Sequence, residues 1–418
     1  MSDAPVGALV EGLFRRSAGR ITASLARRFG HAHLAMIEES VQDALVRALE
    51  LWPHRGVPGS PEGWLLQAAR NRVLDRMRRD RSLARILSDL ARTAAPEAPG
   101  ATSAIRAGTV VIDDDELALL FLCCHPRLSP DARVALTLRL AGGFGVGEIA
   151  RALLARPDAV AQRLVRAKRL LREPGVALEL HAVELPARLA SVLDALYLIF
   201  GEGYQATAGD AAVRRELCTE AIRMTRLVVA LPATDTPAAR ALLALMLLQA
   251  SRLPERPDDE IRLLDAQRRD RWSRAWIAEG LQLLDAAASG TELSEYHLEA
   301  GIAAEHAVAA RWEDTRWPRI VRYYELLRRG NPSPVLALNH AIAVHMAEGA
   351  SAAAPRFEQL ATMPRLAGHF PYHVAAGRHA EERGEPGLAR AHFERALALP
   401  CSAPERRFVA ARLAKVVA

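Results

Sequence analysis

Nowhere in the 418 residues does a β-branched or aromatic run alternate with polar residues for the length of a strand. Leu, Ala, Arg and Glu, all good helix formers, fill the chain instead, and apolar residues return every three or four positions. The pattern predicts an all-α protein. Helices are expected over 6–29, 34–52 and 60–88, then over 115–125, 130–141, 145–154 and 158–172. From about 186 onward, helices 12 to 20 residues long alternate with short Pro, Gly or Asp-rich turns at 231–237, 254–259, 288–291, 330–334, 349–351 and 384–387.

That rhythm predicts an α-solenoid, in which each helical pair buries its apolar face against the next. The last unit is the clearest. Gly377, Ala389, Phe393, Ala396 and Pro400 fall near the small, aromatic and proline positions of a tetratricopeptide repeat. Earlier units match poorly, and an ordinary helical domain without a repeat is the alternative.

Half of the residues are hydrophobic and a quarter are charged, the balance of a chain that buries a core. No apolar run approaches the roughly 20 residues needed to span a bilayer, and the N-terminus lacks a charged segment followed by an apolar one. A cytosolic protein without membrane contact is expected. The four cysteines, Cys123, Cys124, Cys218 and Cys401, form no C-x-x-C pair, so neither a disulfide framework nor a zinc finger is expected.

The net charge of +6 is unevenly spread. Residues 1–176 carry 26 basic against 19 acidic side chains, whereas 177–418 carry 29 against 30. A basic surface for an acidic partner therefore belongs to the first two-fifths of the chain. Within it, Ala91 to Val111 is rich in Ala, Pro, Gly and Thr and reads as a flexible linker between two helical modules.

Each module contains one basic helix. In the first, Leu65, Ala69, Val73 and Met77 recur every four residues as an inward stripe, while Arg72, Arg76 and Arg79 line another face. Seven arginines against Asp75 and Asp80 between 70 and 85 could neutralise several phosphates, although a charged helix is most often only a solvated face. In the second module, Ile149 and Leu153 give a short helix its apolar side, the chain breaks at Ala155-Arg156, and Pro157 opens another helix. Val160, Leu164 and Leu171 point that helix inward and leave Gln162, Arg163, Arg166, Lys168, Arg169 and Arg172 outside. This is the pattern of a helix-turn-helix with its second helix in the major groove, with a helical hairpin of purely structural purpose as the alternative.

No catalytic constellation can be assembled from spacing. Cys123-Cys124-His125 offers adjacent thiols that cannot readily face one tetrahedral ion, so buried structural thiols are expected and no metal. Asp113 to Glu116 reads as a helix start whose charge complements the dipole. Gly201-Glu202-Gly203 lacks the further glycine or lysine of a phosphate loop. His54, His306, His340, His345, His373 and His379 are scattered. Neither a cofactor nor an enzymatic activity is expected.

The order of the two basic modules and the linker resembles an extracytoplasmic-function (ECF) sigma factor of bacterial RNA polymerase. Ile37 to Ala48 is similar to the helix that docks on the coiled coil of the polymerase β′ subunit, which implies core-polymerase contacts for Glu39, Gln42, Asp43 and Arg47. Pro61 to Arg81, with Trp64, Asn71, Arg72 and Asp75, is similar to the helix that recognises and opens the −10 element. The resemblance implies promoter contacts there for Asn71, Arg72, Arg76 and Arg79. The loop Pro53 to Ser60, with His54 and Arg55, would receive a flipped base. Leu117 to Arg172 resembles the module that reads the −35 element and meets the β flap, with Gln162, Arg163, Arg166, Lys168 and Arg169 toward DNA.

Downstream, Leu196 to Tyr204, Leu242 to Leu248, Asp270-Arg271-Trp272 and Asn331 to Asn339 resemble one group of these factors, in which a tetratricopeptide-like domain follows. Gly201 and Ala159 depart from that group's usual Asn and hydroxyl residue. The implied organisation is region 2 over 6–88, a flexible linker over 89–112, region 4 over 113–176 and a regulatory domain over 186–418 with a protein or peptide partner. A helix-turn-helix regulator that does not melt DNA is the second reading, and an enzyme with an accessory DNA-binding region the third.

Overall fold

The computed structural model describes residues 4–90, 109–110, 112, 114–153, 155–173, 176, 180–181, 183–204, 213–257, 260–289 and 292–417. The linker expected over 89–112 lies almost wholly outside them, as does Asp113. The described chain is helical apart from one two-residue antiparallel pair, β1 (Thr109–Val110) with β2 (Leu180–His181). It divides into two compact units, one comprising 1–150 and 155–195, the other 151–154 and 196–418.

The first unit is built on α1 (Ala4–Phe29), α2 (Leu34–Arg55), α3 (Pro61–Leu90), α4 (Asp115–Cys123), α5 (Pro130–Leu140), α6 (Val146–Ala152) and α7 (Pro157–Leu170). Ile37, Val41, Ala44 and Ala48 of α2 face the Leu65, Ala69 and Val73 stripe of α3, and all are buried. Trp52 meets Trp64 edge-on at 5.5 Å across the joint between these helices. The helix starts are written in the sequence. Asp114 accepts a hydrogen bond from Leu117 N at 2.8 Å with Asp115 and Glu116 in the first turn, and Ser129 and Pro130 open α5.

Both modules belong to one unit, because α1 packs against α2 and α3 on one side and against α4 and α5 on the other. The approach is close at Gly19, where a Cβ would lie 2.1 Å from the carbonyl oxygen of Ala141. The two basic helices thus come from modules held together and not merely tethered. The physical reason is a shared core: Ile21, Leu25 and Ala26 of α1 and Leu117, Leu120 and Leu138 of α4 and α5 are all nearly inaccessible to solvent.

The helix α8 (Leu185–Tyr204) spans the change of unit. Its first half, with Arg188, Leu189, Val192 and Leu193 buried, falls in the first unit.

The second unit contains α9 (Arg215–Ala230), α10 (Pro237–Ala250), α11 (Arg274–Ala287), α12 (Glu295–Val308), α13 (Trp317–Gly330), α14 (Pro334–Glu348), α15 (Ala350–Ala361), α16 (Phe370–Glu382), α17 (Pro386–Leu397) and α18 (Ala403–Val417). The apolar α10 is its hub, buried on nearly every side and packed by α9, α11 and α12. From α13 onward, packing is mainly between consecutive helices, as in a quasi-one-dimensional array. In the α16/α17 pair, Gly377 leaves the space that the Phe393 ring fills: a Cβ there would lie 2.6 Å from the ring.

Candidate nucleic-acid interface

On α2, Glu39 and Arg47 are exposed and Gln42 and Asp43 half-exposed. Val46 and Leu49, exposed by 55% and 46%, lie on the same side as Gln42 at helical spacing. This apolar strip beside charged residues was not singled out by pattern reading, because isolated exposed aliphatics carry no signal until the buried face of the helix is known.

The candidate side chains of α2 and α3 are paired with one another. Arg72 Nε lies 2.9 Å from Asp43 Oδ2, Arg76 donates to Glu39, and a second Arg76 nitrogen lies 3.2 Å from Asp43. Two arginines read as DNA ligands are therefore paired with two carboxylates read as polymerase ligands. Arg79 stays exposed with no ion pair among the described residues, and Asn71 is exposed, accepting from Gln67 at 3.2 Å.

His54 and Arg55, expected in a loop, close the last turn of α2. The helix runs through Pro53 and stops at Gly56, whose φ of 81° a side chain would oppose, and the loop shrinks to 56–60. Both side chains are exposed beside it.

The helix-turn-helix is formed by α6 and α7, with Arg156 before Pro157 at the first position of α7. Val160, Leu164, Ala167 and Leu171 are buried, and Gln162, Arg166 and Arg169 are exposed, Arg166 donating to Gln162 at 3.3 Å. Against the start of α5, Arg127, Ser129, Gln162, Arg163 and Arg166 bound a polar concavity of about 370 Å³. Val165, 67% exposed, lies at the edge of this basic face.

Two residues assigned to the outer face of α7 are not free there. Arg163 is half-buried and pairs with Asp131 at 3.1 Å. Lys168 turns inward and donates to Glu38 of α2, which also accepts from Arg139 of α5. All three side chains are at least 84% buried. Spacing could not reveal this, because the partners are 130 and 101 positions apart.

Cys123 and Cys124 are buried, burial raising the first thiol well above its ordinary value and pushing the second up to about 12. His125 is pushed down to about 4, first by burial and then by the nearby Arg188 and Arg127. Among the described residues no cluster of three or more His, Cys, Asp or Glu could hold a metal, and no helix is long and apolar enough to cross a membrane.

Family models match three successive stretches: sigma-70 region 2 over residues 13–83, sigma-70 region 4 over 118–171, and a family of unknown function, DUF6596, over 188–288. An uncharacterized protein of Rhizobium meliloti (strain 1021), R00370, is 39% identical over 398 residues, covering 93% of this chain and 92% of its own. No solved structure matches.

Proposed function

The chain belongs to the sigma-70 family, as an ECF-type RNA polymerase sigma factor with an additional helical domain, and from that premise we propose how its parts divide the work. Core RNA polymerase and promoter DNA are its partners. The exposed strip of Gln42, Val46 and Leu49, flanked by Arg47, docks on the β′ coiled coil, and the region 4 module meets the β flap. Asn71 and Arg79 of α3, with His54 and Arg55 beside the short loop, hold the opened −10 strand. Gln162, Arg166 and Arg169 read the −35 duplex. The protein supplies no chemistry. Its contribution is binding free energy that favours the opened duplex, and it acts where the polymerase is, in the cytoplasm.

The observation that supports this reading is the conjunction, in one unit, of two basic helices matched by the sigma-70 regions with an exposed apolar strip on α2. A repressor-type helix-turn-helix protein has use for the first and none for the second. The near-neutral second unit has little general attraction for DNA, and its helical array suits protein contact. Purified chain added to core polymerase should produce a promoter-specific run-off transcript, whereas a regulator that does not melt DNA would bind the duplex and yield none.

A further inference from the structure

Two motifs singled out in the sequence, Asp270-Arg271-Trp272 and the stretch ending at Asn339, are not used by promoter recognition. In the second unit Asn339 lines a cavity of about 250 Å³, and Trp272 lies behind one of its walls. Trp312 and Trp317 form its aromatic wall, packed edge-on at 5.0 Å, and Ile342 and Met346 of α14 close the apolar side. The wall is held from behind. Arg269 lies between Trp272 and Trp312, its guanidinium 5.0 and 5.8 Å from the two rings. It donates to the carbonyl oxygens of His306 and Ala309 at 2.7 and 3.0 Å.

Several polar atoms of the residues lining the cavity have no partner among the described residues. His306, 92% buried, has an Nδ1 with no partner, and the buried Nε of Arg378 has none either. Asn339 makes no side-chain hydrogen bond among the described residues. Arg378 and Asp265 stand 3.7 Å apart at the edge and offset each other's charge.

We propose that this cavity captures one large apolar side chain of a partner peptide, with Asn339 and His306 engaging the peptide backbone beside it. The inference rests on the reading of the second unit as a protein-binding domain. Size selects a side chain over a free metabolite, because small-molecule sites usually occupy about 300–1,000 Å³. Charge selects a neutral occupant, since a cation would meet Arg378 and an anion Asp265. Burial, followed by Arg252 and Arg269, pushes His306 down to about 3, so its ring is neutral at physiological pH and suits an amide. The low-complexity stretch 91–111 contains no aromatic residue and is a poor source for the anchor, which assigns it to another chain.

The smallest probe with these features is N-acetyl-phenylalaninamide, titrated into the full-length chain by saturation-transfer NMR and tryptophan fluorescence. Binding at about 1 mM is expected, the strength of a single anchored group, with the capped amides of Lys and Asp at least about tenfold weaker. Met346→Trp should fill the cavity and abolish the signal. Asn339→Ala, on the rim, should weaken the capped amide about fivefold while leaving toluene binding unchanged, as expected for one lost hydrogen bond. Equal binding of the charged amides, undiminished binding to a folded Met346→Trp, equal loss of toluene in Asn339→Ala, or no binding of the capped Phe would each overturn the proposal. None of these results touches run-off transcription, whose failure would instead remove the reading of the first unit.

Discussion

Lys168, on the helix proposed to read the −35 element, donates to Glu38, the residue before Glu39 on the helix proposed to dock on polymerase. The −10 and −35 elements are about 25 base pairs apart, on the order of 85 Å at 3.4 Å per step. The contact holds the proposed −35 helix against the helix that packs on the proposed −10 helix, which is far short of that span. On the proposed assignments, reading both elements requires the Glu38, Arg139 and Lys168 cluster to separate. Withdrawing one partner from a buried charge cluster costs roughly 3–5 kcal/mol, so Glu38→Gln should loosen it. Free Glu38→Gln protein should bind a −35 duplex at least about tenfold more tightly than the parent by fluorescence anisotropy. Equal affinities would show that the cluster does not restrain region 4.

The pairing of Arg72 and Arg76 with Asp43 and Glu39 separates two variants that charge alone would equate. Arg76→Ala leaves two carboxylates of α2 without that partner and should weaken both core-polymerase binding and promoter opening. Arg79→Ala, with no ion pair among the described residues, should impair opening alone. Permanganate reactivity of thymines in the bubble, read beside core-binding titrations, distinguishes the two. Identical profiles for both variants would contradict the assignment.

Val165 places an exposed apolar side chain on the helix proposed to read the −35 duplex, where a thymine methyl is a fitting contact. Replacing −35 thymines one at a time by deoxyuridine removes only that methyl. One position should cost about fourfold in affinity, the worth of one buried methyl-sized group near 0.8 kcal/mol. Val165→Ala should lose that sensitivity, and a substitution profile identical in parent and variant would exclude the contact.

In the second unit, Glu299 is pushed up to about 7, chiefly by burial and against the hydrogen bond it accepts from Tyr197 at 3.1 Å. A carboxyl whose folded value is raised holds its proton more tightly in the native state. Its contribution is therefore fully present below about pH 4.5 and is lost as pH rises through about 7. Glu299→Gln should raise the melting temperature by about 2–5 °C at pH 8 and change it little at pH 4.5. A pH-independent difference would contradict this account.

The helices were legible because their signals are local. Asp114, Ser129 and Pro157 mark starts, and the Leu65, Ala69 and Val73 stripe names a buried face. The basic face around Gln162, Arg166 and Arg169 was legible for the same reason, since a buried stripe at helical spacing fixes what lies opposite it. The inward turn of Lys168 was not, because its partner lies 130 residues away and an exposed and a paired lysine look alike in sequence. The joining of the two modules was equally hidden, since the close contact of Gly19 with Ala141 has no sequence signature. His54 and Arg55 were misplaced because proline commonly ends a helix, and here Pro53 is accommodated within the last turn before Gly56.

The central claim is that this chain directs core RNA polymerase to a promoter and opens it. Run-off transcription with purified core polymerase on genomic fragments measures this directly. The account predicts a discrete transcript that appears only when the chain is present and is reduced with Arg79→Ala. Specific retention of DNA by the chain, with no transcript and no permanganate-reactive bubble on any fragment, would contradict it.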